Sequence, residues 1–560
     1  MKRKMHTILT VLLAALLLVP LLNAGTFASA AGSIYVNDSS NVLSGDLGSA
    51  YAVGGTGSSS VVGGSYAITG SGVELIGKSA GTPTIPSGDA DGTTIRVSQM
   101  TARVGLYYYY SGSRNTALST ASLENKVGSG YKFGYYDANR NFIELGSTEV
   151  TTLTMVPDIN TAVSSGTVGC YHIKLLNQYS DFNAAKYAAA QYADGFPAYI
   201  NGVYYVLIGN YQSAADTNTA RTNMGIMGDI FTGSSRCVAV TKTGTTKILF
   251  EFDGGSSANL AVRPVALGSK AITWFKGYAY YGDFEYFRYI TDKLTVINIV
   301  DLEDYVKGVI PYEMSPSWPI EALKAQALCA RSYFATNVNT YSKYGFDVTG
   351  DTYSQAYRGT NLATSTTDTA VDVTQGEYVT SNGSVCSALY FSSDGGGTEN
   401  SENIFTTAYP YLRGVLDPFE DDVPLTMNTY KSWHYEFTGA QLTAKLTAQG
   451  YTGGTITNVI PTYSNTGNVI SLTFSDAGGA SFTVTKSSCY SVLGLPSVHY
   501  TITASQTTTG LFVIDGGGWG HNVGMSQWGA YSMAKNYGLN YRQIIRYYYT
   551  GVNISKGIVA

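Results

Sequence analysis

Glu313 is the residue of this sequence whose setting most favours acid–base chemistry. Pro311, Pro316 and Pro319 surround it, which predicts a loop of restricted backbone conformation just before a helix. A proton donor must stay protonated near neutral pH, and a carboxyl desolvated by apolar neighbours has the raised pKa that this requires. Its apolar neighbours in the sequence are Ile310, Tyr312, Met314 and Trp318. The alternative role for Glu313 is to cap the following helix through the helix dipole.

The helix that positions this loop is predicted to begin at Pro319, which suits a first helical position. Apolar residues recur at helical spacing until Gly345 offers a stop, namely Ile320, Leu323, Ala327, Ala330, Phe334 and Val338. Lys324 and Arg331 are seven residues apart and so share one face. They either line a cleft beside Glu313 or anchor the preceding loop, and a cation close to Glu313 would weaken it as an acid by lowering its pKa.

Two long motifs stand in a recognisable order. Residues 313–331 contain Glu-Met, then Trp-Pro, then Glu-Ala-Leu-Lys-Ala-Gln-Ala and an arginine, and residues 517–531 read Gly-Gly-Trp-Gly-His-Asn-Val-Gly-Met-Ser-Gln-Trp-Gly-Ala-Tyr. With the loops 352–359 and 388–398, they resemble the stage II sporulation protein D family of peptidoglycan-cleaving proteins and amidase enhancers. The resemblance covers roughly residues 270–553.

The resemblance implies a lytic transglycosylase. Glu313 would protonate the glycosidic oxygen and then act as base while the muramic acid 6-hydroxyl attacks, so the second carboxylate of ordinary glycosidases is not needed. For His521, Gln527 and Trp528, which we expect in a sugar-binding wall, packing in the core is the alternative. The residues predicted to bind substrate or support the site are Lys324, Arg331, Gln355, Tyr357, Ser392, Ser393, His521, Gln527 and Trp528.

We expect no metal and no cofactor. Some family members carry a zinc-ligand set of one His and two Cys around the segment that matches residues 345–357, but here Ser354 stands where a Cys is expected and the segment has neither residue type. His172, His434, His499 and His521 are far apart in the sequence. Residues 516–524 lack the Lys and Ser/Thr of a phosphate cradle, and residues 524–529 are one residue too long for a nucleophile elbow.

A second resemblance lies upstream of this region. Residues 166–235 predict strand, helix, strand, strand and helix at 171–176, 183–192, 197–200, 203–208 and 214–224. That order, with Gly209, Asn210 and Tyr211 in a turn after a strand, resembles a SPOR domain, which binds peptidoglycan glycans stripped of stem peptides. We therefore predict glycan binding at these three residues. An α+β domain of the same fold without glycan affinity is the alternative.

The predicted fold class is α+β and multidomain. It has a β-rich N-terminal region, a small SPOR-like αβ domain and a C-terminal mixed α+β domain with a cleft. The predicted segments are a signal peptide (1–30), a Gly/Ser-rich β or linker region (31–98), a Tyr-rich β unit (99–165), the SPOR-like domain (166–235), a linker (236–269) and the catalytic domain (270–555).

The N-terminus predicts export. Lys2, Arg3 and Lys4 precede an apolar stretch, and Ala28-Ser29-Ala30 has the small-residue form of a cleavage site, so we expect a secreted or envelope-associated protein; an uncleaved anchor is the alternative. A net charge of -5 excludes an electrostatic footprint for nucleic acid. Five scattered cysteines define no disulfide framework.

Three functions remain open on the sequence. They are a lytic transglycosylase acting on peptide-stripped peptidoglycan, a non-catalytic amidase enhancer or scaffold, and a surface protein that only binds glycan. The partners expected are peptidoglycan glycan strands, with a cell-wall amidase or other sporulation cell-wall proteins as further candidates.

Overall fold

A computed structural model describes residues 101–559, except 113 and 269, and nine short strands nearer the N-terminus. The nine strands are Ala28–Ala30, Ser33–Tyr35, Val42–Ser44, Val53–Gly54, Ser58–Val62, Ser65–Thr69, Gly72–Glu74, Thr84–Pro86 and Thr94–Val97. Apart from Ala28–Ala30, the predicted signal peptide lies outside the described residues. Within the described part of the chain, no helix is both long and apolar enough to cross a membrane.

The protein is a mixed α+β structure with several separate sheets, as the sequence predicts. It divides into two compact units. The first unit comprises residues 98–313 and 337–365, and the second comprises residues 1–97, 314–336 and 366–560.

The first unit is built mainly of strands. Its main strands are β1 (Thr101–Tyr107), β2 (Ala121–Asn125), β3 (Gly128–Tyr136), β4 (Phe142–Thr148), β5 (Thr152–Pro157), β6 (Tyr171–Leu175), β7 (Gly195–Ile200), β8 (Val203–Tyr211), β9 (Gly228–Phe231), β10 (Val238–Lys242), β11 (Ile248–Asp253), β12 (Leu260–Ala266), β13 (Thr273–Phe275), β14 (Tyr278–Tyr280), β15 (Asp283–Phe287), β16 (Thr295–Asp301) and β17 (Val348–Thr349). Its helices are α1 (Phe182–Ala189), α2 (Ala214–Met224) and α3 (Leu302–Glu313). Short hairpins at Tyr109–Tyr110 with Arg114–Asn115, and at Thr161–Val163 with Gly166–Val168, complete it.

Two sheets organise these strands. A seven-stranded sheet has the order β4-β3-β12-β15-β16-β1-β17, and a ten-stranded sheet has the order β9-β6-β8-β7-β11-β10-β5-β2-β13-β14. The strand β16 is buried along almost its whole length. Its residues from Val296 to Val300 are apolar except Asn298, and such a run is typical of a buried strand. Because β16 leads directly into α3, the sheet fixes the start of the helix that carries Glu313.

The sheets cross the domain boundaries predicted from the sequence. Residues 236–269, expected to be a linker, contain β10, β11 and β12. The Tyr-rich segment 99–165 supplies strands to both sheets; β1, for example, pairs with β16 from Thr101 opposite Asp301 to Tyr107 opposite Val296. The physical reason is that strands far apart in the sequence satisfy each other's backbone hydrogen bonds, and this pairing leaves no signal in local composition.

Residues 171–224 form the strand, helix, strand, strand and helix that the sequence pattern predicts, and β9 adds a strand that it did not predict, which gives a βαββαβ arrangement. The strands β6, β7, β8 and β9 pair in the antiparallel order β9-β6-β8-β7, with the β7–β8 hairpin turning at Asn201 and Gly202, both of positive φ. Asp181 caps α1 by accepting from the Ala184 N–H, and Ser213 caps α2 by accepting from the Asp216 N–H. This arrangement is continuous with the larger sheet, because β7 runs parallel to β11 and pairs with it.

The second unit combines helices with small sheets. Its helices are α4 (Ile320–Asn337), which continues one residue into the first unit, α5 (Ser365–Val373), α6 (Ser401–Ile404), α7 (Gly439–Thr447), α8 (Ser488–Ser491), α9 (Gln527–Tyr537) and α10 (Tyr541–Tyr548). Its strands are β18 (Glu377–Ser381), β19 (Ser384–Val385), β20 (Tyr390–Phe391), β21 (Trp433–Thr438), β22 (Ile456–Tyr463), β23 (Val469–Asp476), β24 (Ser481–Thr485), β25 (Tyr500–Ala504), β26 (Leu511–Gly516), β27 (Met525–Ser526) and β28 (Asn553–Val559).

The helix α4 differs from its prediction in two ways. Leu323, Ala327, Ala330 and Phe334 are buried as expected, but the opposite face is buried too, including Gln326 and Arg331. The helix ends at Asn337, and Gly345 instead ends the short 3-10 turn Ser342–Tyr344 with a φ of 92°. Gly345 therefore ends the 3-10 turn that follows the helix and does not end the helix itself.

Candidate functional site

Glu313 is the last residue of α3, so the expectation that it lies in a loop is wrong. Pro311 is accommodated inside the final turn of the helix. The apolar residues of α3 recur at helical spacing and are buried, namely Leu302, Tyr305, Val306, Val309 and Ile310. A helix end held by this packing fixes the backbone of Glu313 more firmly than a loop would.

A neighbouring loop of the same unit holds the Glu313 carboxylate. The Ala356 N–H donates to Glu313 Oε1 at 2.7 Å, and the side chain of Glu313 is half-buried. The loop is itself closed on its strand, because Tyr357 N–H donates to Gly350 O and Ser354 Oγ accepts from Thr349 N–H. The carboxyl is thereby set in one direction while remaining partly accessible to solvent.

Gln355 and Tyr357 lie on either side of Ala356 and are both buried. Gln355 Nε2 donates to Tyr305 Oη at 3.0 Å, and Tyr357 Oη donates to Asn298 Oδ1 at 2.6 Å. The rings of Tyr305 and Tyr357 lie 5.1 Å apart. Burial raises the pKa of Tyr357 well above its ordinary value, so this phenol stays protonated and acts as a fixed donor. Both predicted residues therefore brace the loop that holds Glu313.

The contact between α3 and this loop requires a glycine. A Cβ at Gly308 would lie 2.4 Å from Tyr357 Cε2, closer than real side chains approach. The helix can therefore pass directly over the Tyr357 ring only because position 308 has no side chain.

Lys324 and Arg331 belong to the second unit, where both have internal partners. Lys324 Nζ donates to Glu321 Oε1 at 2.7 Å, and Glu321 Oε2 accepts the N–H of Tyr541 at the start of α10. Arg331 is fully buried and donates to the carbonyl oxygen of Glu377 at 3.0 Å. These contacts join α4 to α10 and to β18, and the two roles expected from the sequence both stay predictions.

Ser392 and Ser393 lie directly after β20 in the second unit. Ser393 is fully buried and donates to Glu420 Oε2 at 2.6 Å, while the Ser392 carbonyl oxygen accepts from Trp528 N–H at 3.0 Å. Both residues thus join the loop after β20 to other parts of the unit.

Glu420 belongs to a buried acidic cluster that the sequence analysis missed. The carboxylates of Asp394, Asp417 and Glu420 lie within 4.8 Å of one another, and Ser526 and Tyr548 donate to the cluster. Burial, followed by the charge of Asp417, raises the pKa of Glu420 to about 7, and burial also raises the pKa of Asp394 and of Asp417. The network links the loop after β20, the 417–422 segment and the start of α9.

His521, Gln527 and Trp528 have different surroundings within the second unit. His521 packs between the rings of Phe391 and Phe405, and burial lowers its pKa to about 4, so it is neutral. Gln527 is buried with its Nε2 3.4 Å from Gln326 Oε1. Trp528 is half-buried and forms an aromatic group with Trp318 and Tyr531, whose ring centroids lie 4.5 Å and 5.4 Å from its own. Of the three predicted wall residues, Trp528 has the setting that suits a sugar-contacting surface.

Comparison with known proteins identifies the family. The family model described as Stage II sporulation protein matches residues 291–380. The Stage II sporulation protein D of Bacillus subtilis (strain 168) is 33% identical over 287 residues, which cover 48% of this chain and 78% of that protein. The chain belongs to the stage II sporulation protein D family.

Two other relatives are similar to the chain. An uncharacterized protein of Brachyspira hyodysenteriae is 33% identical over 287 residues, covering 50% of this chain and 73% of that protein. The Amidase enhancer of Bacillus subtilis (strain 168) is 29% identical over 297 residues, covering 45% of this chain and 40% of that protein. The similarity to stage II sporulation protein D relatives therefore concerns about half of the chain.

Gly209, Asn210 and Tyr211 lie in the first unit, inside strand β8, whereas the sequence predicted a turn. Gly209 has a φ of 76°, and a Cβ there would lie 2.3 Å from the Tyr211 ring. Asn210 Nδ2 donates to the Thr246 carbonyl oxygen at 2.8 Å, while Tyr211 is half-buried. The positive φ interrupts regular pairing with β6, where the register shifts between Tyr171 and Ile173.

The structure adds an exposed aromatic pair that the sequence analysis did not single out. Trp519 and Tyr430 lie in the second unit with ring centroids 4.2 Å apart, and the two residues are 45% and 39% exposed. Trp519 stands among four glycines in residues 516–520, and a large aromatic residue in such a loop is a sequence signal for a surface contact.

Proposed function

We propose that this member of the stage II sporulation protein D family is an exported lytic transglycosylase. It cleaves peptidoglycan glycan strands that lack stem peptides, and Glu313 is its acid and base. The observation that carries the proposal is the fixed carboxyl of Glu313, held at the end of α3 by the Ala356 N–H and braced by Gln355 and Tyr357. A carboxyl set in one direction is what proton transfer to a bound oxygen requires.

The proposed reaction has two halves. In the first, protonated Glu313 delivers its proton to the glycosidic oxygen as the bond to the anomeric carbon breaks. In the second, the ionised carboxyl takes the proton of the muramic acid 6-hydroxyl while that oxygen bonds to the anomeric carbon. The product has a 1,6-anhydro end, and no external water is consumed. One carboxyl is sufficient because the nucleophile belongs to the substrate, whereas hydrolytic glycosidases use a pair.

The SPOR-like part of the first unit supports the choice of substrate. We propose that β8, with Gly209, Asn210 and Tyr211, contributes a binding surface for glycan stripped of peptides. Its βαββαβ order supports this assignment, while fold alone does not establish what is bound.

A second function is favoured by one specific observation. One relative is named Amidase enhancer, so we also propose that the chain acts beside a cell-wall amidase as a non-catalytic partner. In that case Glu313 would position the loop around Ala356 without transferring a proton.

Mass analysis of digested glycan distinguishes these functions. The purified chain is incubated with peptide-stripped glycan strands, and the products are compared with undigested strands. Anhydro ends support the transglycosylase, and reducing ends identify a hydrolase. Intact strands, together with faster product formation by an added amidase on peptide-bearing sacculi, support the enhancer.

A further inference from the structure

Four buried side chains of the first unit converge from four different strands. Asp158 directly follows β5, His172 lies in β6, Cys237 directly precedes β10, and Glu251 lies in β11. Strand pairing brings Asp158, Cys237 and Glu251 close together, because Pro157 pairs with Val238 and Ala239 pairs with Glu251. None of the four belongs to the Glu313 site.

The side chains of this cluster lie close together, and Cys237 Sγ donates to Glu251 Oε1 at 2.8 Å. One donor atom each from Asp158, Cys237 and Glu251 lie within 4.8 Å of one another. His172 Nε2 lies 3.6 Å from Asp158 Oδ1, beyond hydrogen-bonding length. In a tetrahedral zinc site with bonds of about 2.0–2.3 Å, neighbouring donor atoms stand roughly 3.4 Å apart. The His172–Asp158 separation therefore suits two ligands of one ion better than a direct hydrogen bond.

His172 is oriented toward the cluster as a metal ligand would be. Its Nδ1 lies 2.6 Å from the Gly209 carbonyl oxygen, so Nδ1 carries the proton and Nε2 presents a lone pair. The ring is fully buried, and among the residues that the structure describes Nε2 has no hydrogen-bond partner. Glu251 Oε2 is likewise buried and unpartnered within that part of the chain. Leaving such atoms unsatisfied in the core is unfavourable, and a shared ion would remove that cost.

The surroundings suit a divalent cation once the Cys237 proton is displaced. Zn²⁺ would replace the proton that the Cys237 thiol donates to Glu251 Oε1, and the resulting thiolate and two carboxylates would face Zn²⁺ and the nearby buried guanidinium of Arg288. The Arg288 guanidinium donates to the carbonyl oxygens of Cys237 and Thr291, so it is held against the backbone next to the cluster. The Gly233 N–H donates to Asp158 Oδ2 at 2.8 Å, which orients that carboxylate.

We propose that Asp158, His172, Cys237 and Glu251 form a structural Zn²⁺ site. The mixture of one thiolate, one imidazole and two carboxylates suits zinc, and four buried protein ligands make a closed site rather than a catalytic one. The ion ties β6, and with it the βαββαβ arrangement, to β5, β10 and β11. It also fixes the Gly209 carbonyl oxygen through His172. The proposal departs from the expectation of no metal, because its ligands are spread over residues 158–251 and match no zinc-ligand spacing.

Metal analysis of the full chain tests the site. The protein is folded in the presence of Zn²⁺ alone, dialysed, and analysed for zinc per chain before and after a chelator. We expect one zinc per chain and a lower melting temperature after chelation, restored by Zn²⁺. The variants Cys237→Ser and His172→Gln should each lose stoichiometric zinc and the zinc-dependent shift. Cys489→Ser, which removes a buried thiol of the second unit, should keep both.

Replacement of zinc by Co²⁺ in the wild-type chain keeps the test independent of whether the variants fold. One thiolate and three nitrogen or oxygen ligands predict a thiolate-to-cobalt absorption band and the visible spectrum of a tetrahedral ion. The proposal is overturned if the wild-type chain binds neither metal stoichiometrically. It is also overturned if Cys237→Ser and His172→Gln both retain zinc at the wild-type level.

Discussion

At the scale of single residues, the account depends on how Glu313 is held. Its carboxylate accepts from Ala356, and the loop that carries Ala356 is braced by Gln355 and Tyr357. An acid must meet a glycosidic oxygen within hydrogen-bond reach, so its orientation matters. The residues around the carboxyl therefore act by positioning it.

Gly308→Ala tests this positioning. The new Cβ would overlap the Tyr357 ring, so α3 and the loop must separate, and overpacking of this kind costs about 1–3 kcal/mol. We expect a lower free energy of unfolding and at least a tenfold loss of cleavage, measured by urea unfolding and by release of anhydro products. The control is Gly478→Ala, whose Cβ would meet its nearest atom at 3.4 Å. Equal behaviour of the two variants would contradict the packing argument.

Glu420 predicts a pH dependence of stability. Its pKa is raised from 4.5 to about 7 in the folded protein, so folding favours the protonated form. The contribution of Glu420 to the free energy of unfolding is fully present below pH 4.5 and is lost as the pH rises through about 7. The total loss is on the order of a few kcal/mol. Urea unfolding of wild type and Glu420→Gln between pH 4.5 and 8 measures this difference. The variant should lose less stability over this interval, and parallel curves for the two proteins would contradict the prediction.

At the scale of elements, the sequence predicted single helices and hairpins better than it predicted which distant strands pair. The β7–β8 hairpin at Asn201 and Gly202 and the helix α2 match their predictions because turn residues and caps act locally. The predicted linker 236–269 failed because strand pairing between distant segments is not encoded locally. The loop expected at Glu313 is instead the end of a helix, because α3 accommodates Pro311 in its last turn.

The continuity of the ten-stranded sheet changes how glycan binding is tested. Deleting residues 169–230 would leave β11 without its partner β7, so the loss could not be assigned to binding. The substitution Tyr211→Ala removes a half-buried ring and keeps the strand. We expect several-fold weaker retention on peptide-stripped sacculi, because stacking on an aromatic ring contributes to sugar binding, with unchanged turnover of short soluble glycans.

The control for this prediction is Tyr187→Ala on α1, where the residue is 76% exposed. It should retain wild-type binding. If Tyr211→Ala binds peptide-stripped sacculi as well as the control does, the assignment of β8 as a glycan surface is contradicted.

At the scale of the whole molecule, the sequence motifs identify the family and the candidate acid but not the organisation around them. The motif residues Gln326, Arg331 and Gln527 are buried within the second unit, while Glu313, Gln355 and Tyr357 belong to the first. A sequence motif contains both reacting groups and residues that stabilise the fold, and it does not show which residue has which role. The buried clusters around Glu420 and Glu251 were missed because their members come from separate segments of the sequence.

The most direct test of the central claim is the effect of Glu313→Gln on cleavage of peptide-stripped glycan, followed by mass analysis of 1,6-anhydro ends. Gln has the shape of Glu and can still accept from Ala356, but it supplies no proton, so we expect anhydro products to fall by at least about a hundredfold. The control is Glu303→Gln, the same change in the first turn of the same helix, and both variants should unfold like the wild type. Anhydro product formation by Glu313→Gln at the rate of the control would contradict the assignment of Glu313 as the catalytic acid.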